Sequence, residues 1–339
     1  MFTTLNGLTA DDLWLKAAAW FQPGGIANTQ GSRAGNTREV LRAALSLGDS
    51  RQRWVASREP AMNPAFAIAE VVWLVNGRND SAFLNYFNPR LPAFAGKGDL
   101  YFGAYGFRLR KSFGVDQLTR AASTLRSNPD SRQVVLQIWN SASDLPDSDG
   151  KPVDVDVPCN IMAMLKVRAG KLEWTQVMRS NDLFLGFPHN VVQFSTLQEI
   201  MAGWIGVQPG EYHHLSNSFH LYEKDDYVLR NTIKQPCPQN DDHLNLPEVE
   251  SKSLFGDLER AAEKIICPEI SSGQLIDHLA TAKMPQSFVN LLAIMVADGC
   301  YRRGQTHEAE AASHFCLNPC LTFLWKRWLD RKARQKKKD

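Results

Sequence analysis

The sequence has no run of about 18 apolar residues, no CxxC pair and no marked excess of either charge, and each absence removes a class of protein. Without such a run, no membrane-crossing helix is expected. The opening residues MFTTLNGLTADDLW lack the basic start and apolar centre of a secretion signal, so a cytoplasmic protein is expected. The six cysteines, at 159, 237, 267, 300, 316 and 320, carry neither the spacing nor the histidine companions of a zinc site. Thiols in a reducing compartment, with no metal, are the expectation. Lys and Arg number 38 against 36 Asp and Glu, a formal charge of +2, too near balance for whole-surface attraction to nucleic acid. The exception is RKARQKKKD at 331–339, a basic tail that can touch nucleic acid or anionic lipid, although such segments are usually solvated and disordered.

What is present is a chain of 339 residues, 44% hydrophobic, long enough to bury a full core. Residues 10–21 have helical apolar spacing after an Asp cap, and a Gly-rich loop carrying Arg33 follows. Such a loop closes over a phosphate or is an ordinary turn. PAFAIAEVVWLVN at 64–76 is apolar with one charge, Glu70, which needs a partner or a function if buried. Residues 77–99 read as loop with short helical turns, 116–127 as helix and QVVLQIWN as strand. IMAMLKVRAGKLEWTQVMRS reads as two strands joined at Arg168-Ala169-Gly170-Lys171. VVQFSTLQEIMAGWIG is the central helix. Beyond the polar, Pro-rich stretch that begins PCPQNDD, five segments read as helices.

The chemistry concentrates between Val157 and Tyr222. Cys159 is a nucleophile only if positive charge or hydrogen bonds raise its thiolate fraction, and Arg179 supplies charge if the two segments are neighbouring strands. Alone, a cysteine is more often an inert core residue. Arg179-Ser180 offers a guanidinium fork and a hydroxyl suited to phosphate oxygens. Gly186-Phe187-Pro188 is expected to form a turn that presents Asn190 either as a helix cap or as a reader of a uracil edge. His220 and Tyr222, two apart on a strand, share one side and can grip a sugar hydroxyl.

These residues in this order resemble the thymidylate synthase family, which includes the deoxypyrimidine-nucleotide hydroxymethylases. The resemblance rests on PDSR at 129–132, PC at 158–159, MRSNDLFLGFPHN at 178–190 and HLY at 220–222, with AEVVWLVNGRND at 69–80 and GAYG at 103–106 upstream. It implies an α/β (α+β) fold, a mixed sheet with packed helices, carrying Cys159, Arg179 and His220 on neighbouring strands. The domain expectation is a catalytic part at 1–245, a helical extension at 246–335 and the basic tail at 331–339.

By the same resemblance, Cys159 looks like the nucleophile that adds to C6 of dUMP, Glu70 like the carboxylate that organises proton transfers and Tyr105 like its neighbouring phenol. Arg33, Arg179 and Ser180 look like phosphate ligands, Asn190 like the base reader, and His220 and Tyr222 like sugar ligands. Arg132 looks like the arginine that enters the partner's site, which implies a homodimer. Methylenetetrahydrofolate is the implied cosubstrate, with Asp182, Gly186, Leu91 and Phe94 on its side. The chain departs from the family at Gln133, Asn160, Met178 and Ser218. NPRLPAFAGKGD lacks the family's tryptophans, and no apolar closing tail is recognisable. A weaker seal favours water over hydride as the trap for the C5 methylene, so 5-hydroxymethyl-dUMP is the expected product. dTMP is the alternative; less favoured are a dCMP or CMP hydroxymethylase and a silent nucleotide-binding homologue.

Overall fold

The computed structural model describes residues 1–32, 35–230, 232 and 236–336, so the expectation for Arg33 lies outside the described residues. From the N-terminus the elements are β1 (Thr3–Gly7), α1 (Ala10–Ala19), β2 (Asn28–Gln30), β3 (Thr37–Leu47), α2 (Pro64–Val75), α3 (Ser81–Phe87), α4 (Pro92–Ala95) and α5 (Tyr105–Phe107). A π turn at Arg108–Ser112 leads to α6 (Gln117–Ser127), β4 (Val135–Gln137), α7 (Ser141–Asp144), β5 (Asn160–Arg168), β6 (Lys171–Asp182), α8 (Gly186–Ile205) and β7 (Gln208–Tyr222). Helices complete the chain: α9 (Tyr227–Arg230), α10 (Glu248–Ile266), α11 (Ser272–Ala280), α12 (Gln286–Arg302), α13 (Thr306–Ser313) and α14 (Pro319–Lys336).

The fold is the expected mixed α/β arrangement. One sheet runs β1-β3-β7-β6-β5-β4, with β2 paired to β3. β1/β3 and β6/β7 are parallel, while β3/β7, β5/β6 and β4/β5 are antiparallel. The β5–β6 hairpin turns through Ala169 and Gly170, both at positive φ (48° and 72°), the backbone a two-residue hairpin needs. One face of the sheet carries Leu172, Trp174, Gln176 and Met178 of β6 beside Tyr212, His214 and Ser216 of β7, all buried and packed toward α8. The opposite face carries Met164, Thr175, Val177, His213 and Leu215, which remain partly exposed.

Helix α2 is apolar except at Glu70 because it is enclosed: α8 packs on one flank and α10, α12 and α14 on others. Gly106 of α5 touches its end; a Cβ there would lie 2.1 Å from the Leu74 carbonyl oxygen. The C-terminal helices therefore share one hydrophobic cluster with the sheet half of the chain, including Phe255, Phe288 and Leu292. The coil segment leading to them is held by Asn240 Nδ2 donating to the Arg51 carbonyl at 2.9 Å and by Leu244 N donating to Glu199 at 3.0 Å.

Three local expectations change. Thr9, not an aspartate, caps α1: its Oγ1 accepts from Asp12 N at 3.1 Å, while Asp11 is buried and accepts from Ala56 N and Ser57 N. Gly186-Phe187-Pro188 is the first turn of α8 rather than a separate turn. Proline fits there because the first N–H groups of a helix need no internal partner, and Asp182 Oδ2 accepts from Leu185 N at 2.5 Å and from Gly186 N at 3.3 Å. Residues 331–335, which fall in both the expected helical extension and the expected basic tail, are helical rather than a solvated tail, α14 running to Lys336, and Arg331 donates to the Ala61 carbonyl at 2.6 Å. Among the described residues no helix is long and apolar enough to cross a membrane.

Candidate active site

Strand pairing decides the environment of Cys159. The residue stands just before β5, and Arg179 N on β6 donates to its carbonyl at 2.9 Å. Arg179 then folds its guanidinium over the same loop: Nε donates to the Pro158 carbonyl at 2.9 Å, Nη2 to the Val157 carbonyl at 3.0 Å, and Nη2 lies 3.7 Å from Cys159 Sγ. Trp139 stacks under the guanidinium with its ring centre 5.8 Å away. A permanent cation thus sits beside the thiol, in contact with loop carbonyls that also fix its position.

Glu70 on α2 meets His189 on α8 through a hydrogen bond between Oε2 and Nδ1, and the imidazole also packs on Phe66, ring centres 5.2 Å apart. The isolated charge in the apolar helix has found its partner. Tyr105 packs on Phe194 at 5.8 Å. Burial pushes its phenol well above the ordinary value and the adjacent Cys159 pushes it further, while hydrogen bonding to Asn160 opposes both. Asp156, three residues before Cys159, accepts from Gly103 N at 2.8 Å, and burial raises its carboxyl to about 6.

Asn190 lies inside α8, beyond its first turn, so it does not cap the helix. Its Oδ1 accepts from Asn160 Nδ2 at 3.2 Å and its Nδ2 donates to Asn181 Oδ1 at 3.1 Å. Gly186 makes room for that contact: a Cβ there would sit 2.8 Å from Asn181 Oδ1. Ser180 pairs in register with Ser218, and Asp182 with His220. His220 stacks edge-on against Tyr222 at 5.2 Å. Burial lowers the His220 imidazole and Asp182 opposes the shift. His220 Nδ1 and Asp182 Oδ1 are both buried without a hydrogen-bond partner among the described residues.

Other expected residues stand apart from this cluster. Arg132 is exposed in the turn between α6 and β4 and takes no part in these hydrogen bonds. Phe94 on α4 is 54% exposed, and Leu91 at the head of α4 is half-buried. The segment borders the nucleophile loop through Gly96, where a Cβ would lie 3.9 Å from Val155 Cβ. Sequence reasoning missed His189, Asp156 and Trp139. His189 was visible as the polar residue next to Asn190 in the quoted motif. Asp156 had only its closeness to Cys159 as a signal, and Trp139 had none.

Residues 36–261 match the family model described as thymidylate synthase. The chain is 39% identical over 164 residues to a protein named deoxyuridylate hydroxymethyltransferase from Pseudomonas phage M6, a match covering 48% of this chain and 45% of that one. It is 34% identical over 220 residues to a protein of the same name from Bacillus phage SP01, covering 62% and 55%. It is 37% identical over 127 residues to thymidylate synthase 1/2 of Encephalitozoon cuniculi (strain GB-M1), covering 36% and 40%. The chain spans about half the length of the curated relatives it matches.

Proposed function

Because the chain belongs to the thymidylate synthase family, we propose that it transfers a one-carbon unit from methylenetetrahydrofolate to C5 of dUMP, with Cys159 as the nucleophile at C6. The observation that carries this reading is the guanidinium of Arg179 at 3.7 Å from Cys159 Sγ, in a loop that Arg179 itself holds. Addition of the thiolate to C6 makes C5 nucleophilic, and return of the electron pair later expels the thiolate. Glu70, steadied by His189, moves protons, and Asn190 reads the base. His220 Nδ1 lacks a partner, which suits a sugar hydroxyl. Asp182 Oδ1 also lacks one, which suits the N–H groups of a pterin, so the residues present fit the cosubstrate. The folate side further includes Gly186, Leu91 and Phe94, and the phosphate is held by Ser180 with Arg179, Arg33 and a partner's Arg132.

We assign 5-hydroxymethyl-dUMP as the product. Support comes from the phage proteins named deoxyuridylate hydroxymethyltransferase, and the exposure of Phe94, on the proposed folate side, suits entry of water. dTMP is the second reading, favoured by the match to the Encephalitozoon cuniculi protein named thymidylate synthase 1/2. Incubation with dUMP and methylenetetrahydrofolate decides between them. Tetrahydrofolate and a nucleotide one oxygen heavier than dTMP is the expected result; dihydrofolate and dTMP would refute the assignment.

The homodimer is proposed on the half-open face of the sheet. Val135 of β4, Met164 of β5, Thr175 of β6 and His213 of β7 form one cross-strand row. Met162, Val177 and Leu215 form the next. Val135 is 48% exposed and Leu41 of β3 47%, an apolar surface suited to a second copy.

A further inference from the structure

A line of buried hydrogen bonds runs through Asn190 along the inner face of the sheet. Trp174 Nε1 donates to Gln176 Oε1 at 3.0 Å, and Gln176 Nε2 donates to Asn160 Oδ1 at 2.9 Å. Asn160 Nδ2 donates to Asn190 Oδ1 at 3.2 Å, and Asn190 Nδ2 to Asn181 Oδ1 at 3.1 Å. Asn181 Nδ2 then meets His214 Nε2 at 2.8 Å, with Ser216 Oγ at 3.4 Å, and His214 Nδ1 meets the Tyr212 hydroxyl at 2.9 Å. None of the seven side chains from Trp174 to Tyr212 is more than 8% exposed.

Nearly every member of this line can run in either direction. An amide reverses by a half-turn, an imidazole by changing tautomer and a hydroxyl by rotating, but an indole N–H only donates. Polarity is therefore set at the Trp174 end. The indole requires Gln176 Oε1 as its acceptor, which turns Gln176 Nε2 toward Asn160 and leaves one orientation for each amide after it. At the far end, burial lowers His214 to about 3 and keeps it neutral, so one ring nitrogen accepts and the other donates. Nε2 accepts from Asn181, which puts the proton on Nδ1, donated to Tyr212.

The consequence falls on Asn190. One Oδ1 lone pair and one Nδ2 hydrogen are committed to the line, and one of each remains. An oxygen that accepts beside a nitrogen that donates matches the N3–H and O4 of uracil; the reversed amide matches the unprotonated N3 and amino group of cytosine. We propose that Trp174 acts as a positioning residue whose indole N–H fixes the orientation of the Asn190 amide through Gln176 and Asn160, and so sets uracil over cytosine. The inference rests on the reading that Asn190 contacts the base. Reversal would bring the indole N–H against the Gln176 amino group in a site without water access, donor facing donor.

The test compares dUMP and dCMP dissociation constants for the wild type, Trp174→Phe and Trp14→Phe. Trp14 is the control, since its indole N–H is buried in the same core but donates to the Leu183 carbonyl at 2.9 Å, off the line. Wild type and Trp14→Phe are expected to favour dUMP equally, and Trp174→Phe to lose roughly tenfold or more of that preference. Nitrogen NMR of His214 should place its proton on Nδ1 in the wild type and divide it between Nδ1 and Nε2 in Trp174→Phe, a change that a packing defect alone does not produce. A wild-type proton on Nε2 overturns the proposal without any variant. So does Trp174→Phe with unchanged preference and tautomer, or an equal loss in Trp14→Phe. A wild type that binds neither nucleotide instead overturns the base-reading role of Asn190, and the proposal with it.

Discussion

Arg179 lies against Cys159 with Nη2 at 3.7 Å from Sγ, while the same nitrogen donates to the Val157 carbonyl and Nε to the Pro158 carbonyl. One side chain therefore supplies charge to the thiol and rigidity to its loop. Lysine keeps the charge but has no planar fork, so it cannot hold two carbonyls in fixed geometry. Arg179→Lys is expected to slow alkylation of Cys159, followed by peptide mass, roughly tenfold, equivalent to about 1.4 kcal/mol of barrier. Alkylation at the wild-type rate would show that the fork is dispensable.

Glu70 and His189 join α2 to α8 through a single hydrogen bond. Glutamine retains an acceptor for His189 but cannot take a proton. Glu70→Gln should therefore leave dUMP affinity within a few-fold while turnover falls by about a hundredfold or more. His189→Gln, which leaves the carboxylate in place without its imidazole, should have an intermediate effect. A Glu70→Gln enzyme with near-normal turnover would remove Glu70 from the proton chemistry.

Much of the architecture was legible in the sequence, for reasons that particular residues make plain. Ala169-Gly170 between alternating strands could form little except a tight hairpin, and a single Glu in an apolar dodecamer, α2, signalled a carboxylate in need of a partner or a function. Pro188 misled because a proline reads as a break, whereas the first turn of a helix tolerates it. The line from Trp174 to Tyr212 was not legible as a whole, because it joins residues of three strands and one helix whose meeting depends on register. A faint signal existed. Polar Gln176 occupies an inward position in a strand whose neighbouring inward residues are Leu172, Trp174 and Met178, and buried polar groups need partners.

The half-open sheet face can be altered without touching the residues around Cys159. Val177 and Leu215 are cross-strand neighbours on that face. Val177→Glu should convert a dimer of 38.0 kDa chains into monomers in sedimentation analysis. If Arg132 serves the partner's site, mixing Cys159→Ser and Arg132→Ala subunits, each inactive alone, should restore about a quarter of wild-type activity, since half the random pairs hold one complete site. A wild type that sediments as a monomer, or a verified mixed dimer without activity, would sink the shared site.

The link between the sheet half and the C-terminal helices should respond to pH through Asp242. Its Oδ1 accepts from Asn290 Nδ2 of α12 at 2.6 Å, and burial raises its carboxyl from 3.8 to about 6. The folded state thus prefers the neutral acid. The stability this group contributes is fully present below the unfolded value and is lost as pH rises through about 6. Asp242→Asn keeps an acceptor for Asn290 and never ionises, so relative to the wild type it should gain stability between about pH 4 and pH 7, by no more than about 3 kcal/mol. Urea unfolding of both proteins across that window measures the difference directly. The direction carries the argument: a carboxylate held by a cationic partner would make the asparagine variant lose ground as pH rises, and that outcome, or a flat difference, would show that Asp242 is not ionising at a cost in the fold.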